Sequence, residues 1–160
     1  MKTLIVYSSQ SGNTKKLAVT AQHACGEGAT LLPVEEAPAD LSTFDQIGVG
    51  FWLQGGKPDE KTQAFLAKVS NRKLFLFATH GAAKGSAHAD NGMKAAIAMV
   101  PETELVATFS CQGQVNPKVL AAAGQKNPPP PWLVDAPAAA GHPDSSDLAE
   151  FHQLISHLCS

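Results

Sequence analysis

Val6-Tyr7-Ser8-Ser9-Gln10-Ser11-Gly12-Asn13-Thr14 decides how the rest of the chain is read. The apolar run Leu4-Ile5-Val6-Tyr7 leads into it and reads as a buried strand. Behind it Leu17, Ala21, Ala24 and Cys25 fall on one face of a helix. A hydroxyl-rich turn therefore sits between a strand's carboxyl end and a helix's amino end. The first backbone N–H groups of a helix have no partner within it, and its dipole adds partial positive charge there. Such a turn is a cradle for a phosphate group. Ser11 or Asn13 acting as an ordinary helix cap is the plainer alternative. A cap needs one such residue, however, and this turn also carries Ser8, Ser9, Gln10 and Thr14. Lys15-Lys16 in the first helical turn opposes the dipole, a local conflict that a bound dianion relieves.

The remainder alternates strands with helices. Glycines Gly26 and Gly28 end the first helix. Thr30 to Val34 reads as a second strand, and Pro33 assigns it to an edge. Asp45 to Phe51 reads as a third strand whose glycines suit close approach by another backbone or a ligand, followed by a loop Trp52-Leu53-Gln54-Gly55-Gly56-Lys57. A helix from about Pro58 to Ser70 precedes a fourth, wholly apolar strand, Lys73 to Ala78, which opens into the loop Thr79 to Gly85. A third helix ends before Pro101, with Asn91-Gly92 blurring its start; a fifth strand spans Leu105 to Cys111. A short helix opens at Asn116-Pro117, a stiff polyproline stretch covers Asn127 to Pro131, and the last helix begins near Asp144. This order implies one domain over residues 1–160, an α/β doubly wound, five-stranded parallel sheet in a three-layer sandwich. Ligands in such sheets sit beyond the strands' carboxyl ends.

Composition narrows the function classes. With 44% hydrophobic and 16% charged residues the chain is globular. A net charge of −2 offers no field for nucleic acid or anionic lipid, and no apolar run has membrane-spanning length. Three cysteines, Cys25, Cys111 and Cys159, without C-x-x-C spacing, lead us to expect reduced thiols, no zinc site and a cytoplasmic setting. Met1-Lys2 runs directly into the first strand, which leaves no expected room for a signal peptide.

These residues resemble the flavodoxin family, and the resemblance spans nearly the whole chain. The turn Ser9-Gln10-Ser11-Gly12-Asn13-Thr14 is similar to that family's FMN-phosphate loop. Trp52, after Phe51 and before Leu53, resembles its ring-stacking aromatic, with Gly56 and Lys57 in the same loop. Thr79, His80, Gly81, Ala82 and Gly85 occupy the place of its second ring-contacting loop, and Gln112-Gly113 borders the same pocket. Phe75 to Gly81, Phe109 to Gly113 and His142-Pro143-Asp144 look like a short bacterial flavodoxin-like group, some of whose members accompany bilirubin-reducing enzymes. The resemblance implies strand order 2-1-3-4-5, non-covalent FMN, and electron shuttling with redox partner proteins that dock at the flavin edge. The alternatives are an FMN-dependent NAD(P)H reductase of quinones or other small acceptors, and a flavin-free module kept for protein contacts.

Rival uses of such a sheet fail at named positions. A receiver domain needs carboxylates where Tyr7-Ser8 and Phe51 stand. A low-molecular-weight tyrosine phosphatase needs Cys and Arg in the first loop. Fingerprints for nucleoside triphosphates, dinucleotides and the hydrolase elbow are absent.

Two departures from ordinary flavodoxins stand out. The loop Thr79 to Gly85 has no aromatic beyond His80, so one ring face is uncovered or is covered by His80 or Trp132. Lys57 and Lys84 replace the usual acids, which leads us to expect a less negative reduction potential.

Overall fold

A computed structural model describes residues 1–160. Strands β1 (Thr3–Tyr7), β2 (Ala29–Pro33), β3 (Gln46–Gln54), β5 (Lys73–His80) and β6 (Glu104–Gln112) form a parallel sheet in the order β2-β1-β3-β5-β6. A two-residue strand, β4 (Lys57–Pro58), pairs antiparallel with the end of β3. Apart from that addition the order is the one expected, with β2 and its Pro33 at an edge. Helices are α1 (Asn13–Cys25), α2 (Glu60–Leu66), α3 (Ala87–Ala98), α4 (Pro117–Gly124) and α5 (Ser145–Cys159).

Side chains alternate across each strand and so feed two separate cores. Leu4, Val6, Ile47, Val49, Phe51, Leu74 and Leu76 bury against Phe65 and Leu66 of α2 and Ala96 of α3. Ile5, Phe75, Phe77 and Phe109 bury against Leu17, Ala18 and Ala21 of α1 and Phe151 and Ile155 of α5. The two cores make the molecule three layers deep. On β3 the residues facing the second core are Gly48 and Gly50, and the rings of Phe75 and Phe77 lie over them. A Cβ at Gly50 would stand 2.2 Å from the Phe77 ring. The close neighbour that these glycines admit is an aromatic ring from β5.

Several boundaries differ from the sequence reading. Trp52 and Leu53 belong to β3 and not to a loop, because β3 continues beside β5 with Trp52 opposite Thr79. Gly55 and Gly56, at φ 60° and 76°, then close a two-residue hairpin onto β4. Pro58 is thereby taken into the sheet, so α2 starts two residues later. Its cap is Asp59, whose carboxylate accepts from the Thr62 N–H at 3.3 Å and from the Thr62 hydroxyl at 2.8 Å. Tight i to i−3 bonds from Lys68 and Val69 finish the helix early. Asn91 and Gly92 lie inside α3, which begins after Ser86. The stretch after α4 bends and turns into a 3-10 segment, Leu133–Ala139.

The thiol expectation is corrected. Cys25 and Cys159 are joined by a disulfide, with Cα atoms 5.0 Å apart, because α1 and α5 pack side by side and end together. A pairing across 134 residues leaves no local spacing signal to read. Cys111 alone is free, buried in the second core, where burial pushes its thiol pKa up to about 12.

Candidate functional site

The turn between β1 and α1 leaves donors free. Gly12 occupies the cap position of α1 in the left-handed region, φ 91°, and no side chain caps the helix there. The Ser9 hydroxyl accepts from the N–H groups of Gly12 at 3.1 Å and Lys15 at 3.3 Å. The N–H groups of Ser11, Asn13 and Thr14 find no acceptor in the protein. Three donors at a helix N-terminus, backed by the exposed Lys15 and Lys16, form a site for an anion.

Two bridges fix this turn to its surroundings. The Thr14 hydroxyl is buried and lies 2.9 Å from that of Thr79. The Asn13 amide donates to the Gln114 carbonyl at 2.9 Å and to the Ser11 hydroxyl at 3.2 Å. The first loop is thus bonded both to the end of β5 and to the loop after β6.

A cleft of about 600 Å³ opens beside this turn. Gln10, Ser11, Asn13 and Thr14 line one side, and Trp52, Leu53 and Gly56 a second. Thr79, His80 and Gly81 form its floor side at the end of β5. The volume suits a single cofactor-sized ligand. His80 is buried, and its ring Nδ1 lies 2.8 Å from the Ala82 carbonyl. A carbonyl only accepts, so Nδ1 carries the proton and Nε2 presents a lone pair. That Nε2 has no partner in the protein. Burial holds the His80 pKa below the usual imidazole range, so the ring is neutral at pH 7.

Other residues named from the sequence lie off the cleft's lining. Phe51 is in the first core, Ala82 is buried behind His80, and Lys57 and Gly85 face solvent. Ser9 and Gly12 shape the turn from behind. Gln112 acts as a tie, its amide reaching the carbonyls of Gly81 and Asp135 at 3.3 Å each. Lys84 is drawn away altogether: its ammonium bonds Glu150 at 3.0 Å and stands 4.6 Å from the centre of the Phe109 ring. Neither lysine expected to adjust a ring potential therefore lines the cleft.

The remaining wall was only partly foreseen. Gly113, Gln114, Val115 and Asn116 after β6, Val119 of α4, and Lys126, Pro130 and Trp132 beyond it complete the cleft. Trp132 was visible as a candidate cover and Gly113 as a border of the pocket; the others carry no local signal. His88, from the start of α3, also lines it.

A family model for the flavodoxin domain matches residues 4–156. The chain belongs to the flavodoxin family. Within it, this flavodoxin-domain chain is similar to a flavodoxin-like domain-containing protein BilS of Clostridium symbiosum (strain WAL-14163). The two are 33% identical, over 98% of this chain and 95% of that protein. Among solved structures, a flavodoxin from the domain Archaea superposes with a TM-score of 0.60 at 18% identity, over 99% of this chain and 96% of that one. A Lactobacillus acidophilus flavoprotein, crystallised in complex with FMN, gives 0.55 at 16% identity, over 68% of this chain and 92% of that one. These structural likenesses establish the fold, and the chemistry of the cleft rests on the residues described above. No helix is long and apolar enough to cross a membrane.

Proposed function

We propose that this chain binds FMN non-covalently and carries electrons between redox partner proteins that dock at the exposed edge of the ring. The observation that carries the reading is the run of unpaired N–H groups at Ser11, Asn13 and Thr14, set in one cleft with the indole of Trp52. The residues fit the group. The N-terminal amides of α1 hold the phosphate dianion, with the Ser11 hydroxyl and the charges of Lys15 and Lys16 adding to its binding. Trp52 offers a flat apolar surface to the ring. When bound, FMN supplies the one- and two-electron chemistry. The protein binds it, orients it and keeps water from it, and no acid–base residue is required. The carbonyl and amide tie between Asn13 and Gln114 keeps the phosphate turn and the far wall at a fixed separation.

Family membership and the FMN complex of a structural relative support this reading. The cytoplasmic setting expected from the sequence rested on reduced thiols, and the Cys25–Cys159 bond removes that support. The test is a visible absorption spectrum of the purified protein, followed by titration of the flavin-free form with FMN. We expect yellow protein or micromolar or tighter uptake, with reduction through a partner reductase and slow reduction by NAD(P)H alone. Colourless protein that refuses FMN overturns the reading, and rapid reduction by NAD(P)H alone replaces the carrier with a reductase.

A further inference from the structure

The loop after β5, Gly81 to Gly85, carries no aromatic, and the ring of His80 at the end of β5 is buried and held by its bond to the Ala82 carbonyl. The space beside that loop is filled from elsewhere in the chain. A Cβ built on Gly81 would stand 3.1 Å from Cε3 of Trp132 and 2.8 Å from Cγ2 of Val115. A side chain at position 81 would therefore force Val115 aside and press against the indole. The segment that follows Trp132 is tied at Asp135 and again at Gly141 and His142. The Asp135 carboxylate accepts from the Ala83 N–H at 2.9 Å, and Gln112 bridges the carbonyls of Gly81 and Asp135. Further on, the Gln114 side chain accepts from the Gly141 N–H at 3.0 Å, and the Gln114 N–H donates to the His142 carbonyl at 2.8 Å. A strap from Trp132 to His142 is thus fastened across the ends of β5 and β6.

We infer that Trp132 is the second aromatic wall of the ring site, that Asp135 and Gln112 are positioning residues for it, and that this wall excludes nicotinamide donors from the ring face. The inference rests on the FMN reading above. Direct reduction by NADPH moves a hydride, two electrons with one proton, from the nicotinamide to the flavin, and solvent supplies a second proton. That transfer needs the nicotinamide stacked on an open face. Transfer to a protein partner needs only an exposed edge. A walled face therefore selects the protein partner, and the strap decides which electron donors the site accepts.

The chain has two tryptophans, Trp52 and Trp132, so Trp52→Phe leaves Trp132 as the only indole reporter. Adding FMN to that variant should quench most of its emission. Trp132→Ala should weaken FMN binding about tenfold or more, the scale of one lost aromatic stacking contact. Trp132→Phe should stay within about threefold of the parent, since a flat ring remains. Flavin-loaded Trp132→Ala should be reduced by NADPH at least about tenfold faster than the parent. Asp135→Ala should reproduce the loss of FMN affinity with the unfolding midpoint retained. Asp135→Asn, which keeps a carbonyl oxygen for Ala83, should restore it. Unchanged FMN affinity, an unquenched Trp132 and an unchanged NADPH rate in these variants overturn the inference and leave the FMN reading standing. Failure of the parent chain to bind FMN removes both.

Discussion

At the scale of single residues the site works by leaving polar atoms unpaired. Ser11 is the cleanest probe of the phosphate turn, because Thr14 also braces Thr79 and its loss would disturb the fold. The Ser11 hydroxyl accepts from Asn13 and keeps its own hydrogen free for an anion. Ser11→Ala should cost about 1.5–3 kcal/mol in FMN binding, the range for a hydrogen bond to a charged group, read by flavin fluorescence titration. An unchanged dissociation constant would remove that hydroxyl from the site. His80 makes a different prediction. Burial lowers its pKa in the folded state, with His88 and Lys84 acting in the same direction and the hydrogen bond to the Ala82 carbonyl and the charge of Asp90 against them. The unfolded chain therefore takes up the proton first, near pH 6.5. The stability linked to a neutral His80 is complete above that pH and is lost as pH falls through the lower folded value. Urea midpoints of the flavin-free protein should fall more steeply between pH 7 and 5 than those of His80→Phe. Parallel profiles would show that His80 is not the group responsible.

At the scale of elements, the fit between β3 and β5 sets where Trp52 stands. Gly48 and Gly50 let Phe75 and Phe77 lie across β3, and the same pairing runs on to place Trp52 beside Thr79. Gly50→Ala puts a methyl 2.2 Å from the Phe77 ring and should destabilise by about 1–3 kcal/mol as the ring is forced aside. Equilibrium unfolding in urea measures it, and a loss within error would mean that β5 yields freely. The same elements show what a sequence can reveal. The strand–turn–helix of β1 and α1 was legible because its three parts are contiguous, and their signals reinforce one another over a dozen residues. The sheet order followed from the alternation of strands and helices together with the family likeness. Boundaries at β3 and α2 were not legible, since a hairpin through Gly55-Gly56 draws Pro58 into the sheet and away from the helix. The far wall was hidden for the same reason at longer range: Trp132 meets Gly81, and Asp135 meets Ala83, only after the chain has folded. Composition of the proline-rich stretch says that it is stiff and nothing about where it lies.

At the scale of the whole molecule the ligand end and the opposite end of the sandwich are held by different means. Around the cleft the ties are hydrogen bonds between loops, Asn13 to Gln114, Thr14 to Thr79, Gln112 to Asp135. At the far end α1 and α5 are joined covalently through Cys25 and Cys159. This cross-link spans 134 residues and so encloses almost the entire chain. Closing so long a loop restricts the unfolded ensemble far more than the folded one, where α5 already packs along α1. Cys25→Ser, or reduction of the parent, should therefore lower unfolding free energy by about 2–4 kcal/mol, seen as an earlier urea midpoint. Because the bond lies at the carboxyl ends of α1 and α5, away from the turn that opens α1, FMN affinity under native conditions should be unaltered. Loss of flavin on mild reduction, with the fold intact by circular dichroism, would contradict that separation and would make the disulfide part of the site's control. Equal midpoints for oxidised and reduced chain would instead mean that helix packing alone fixes α5.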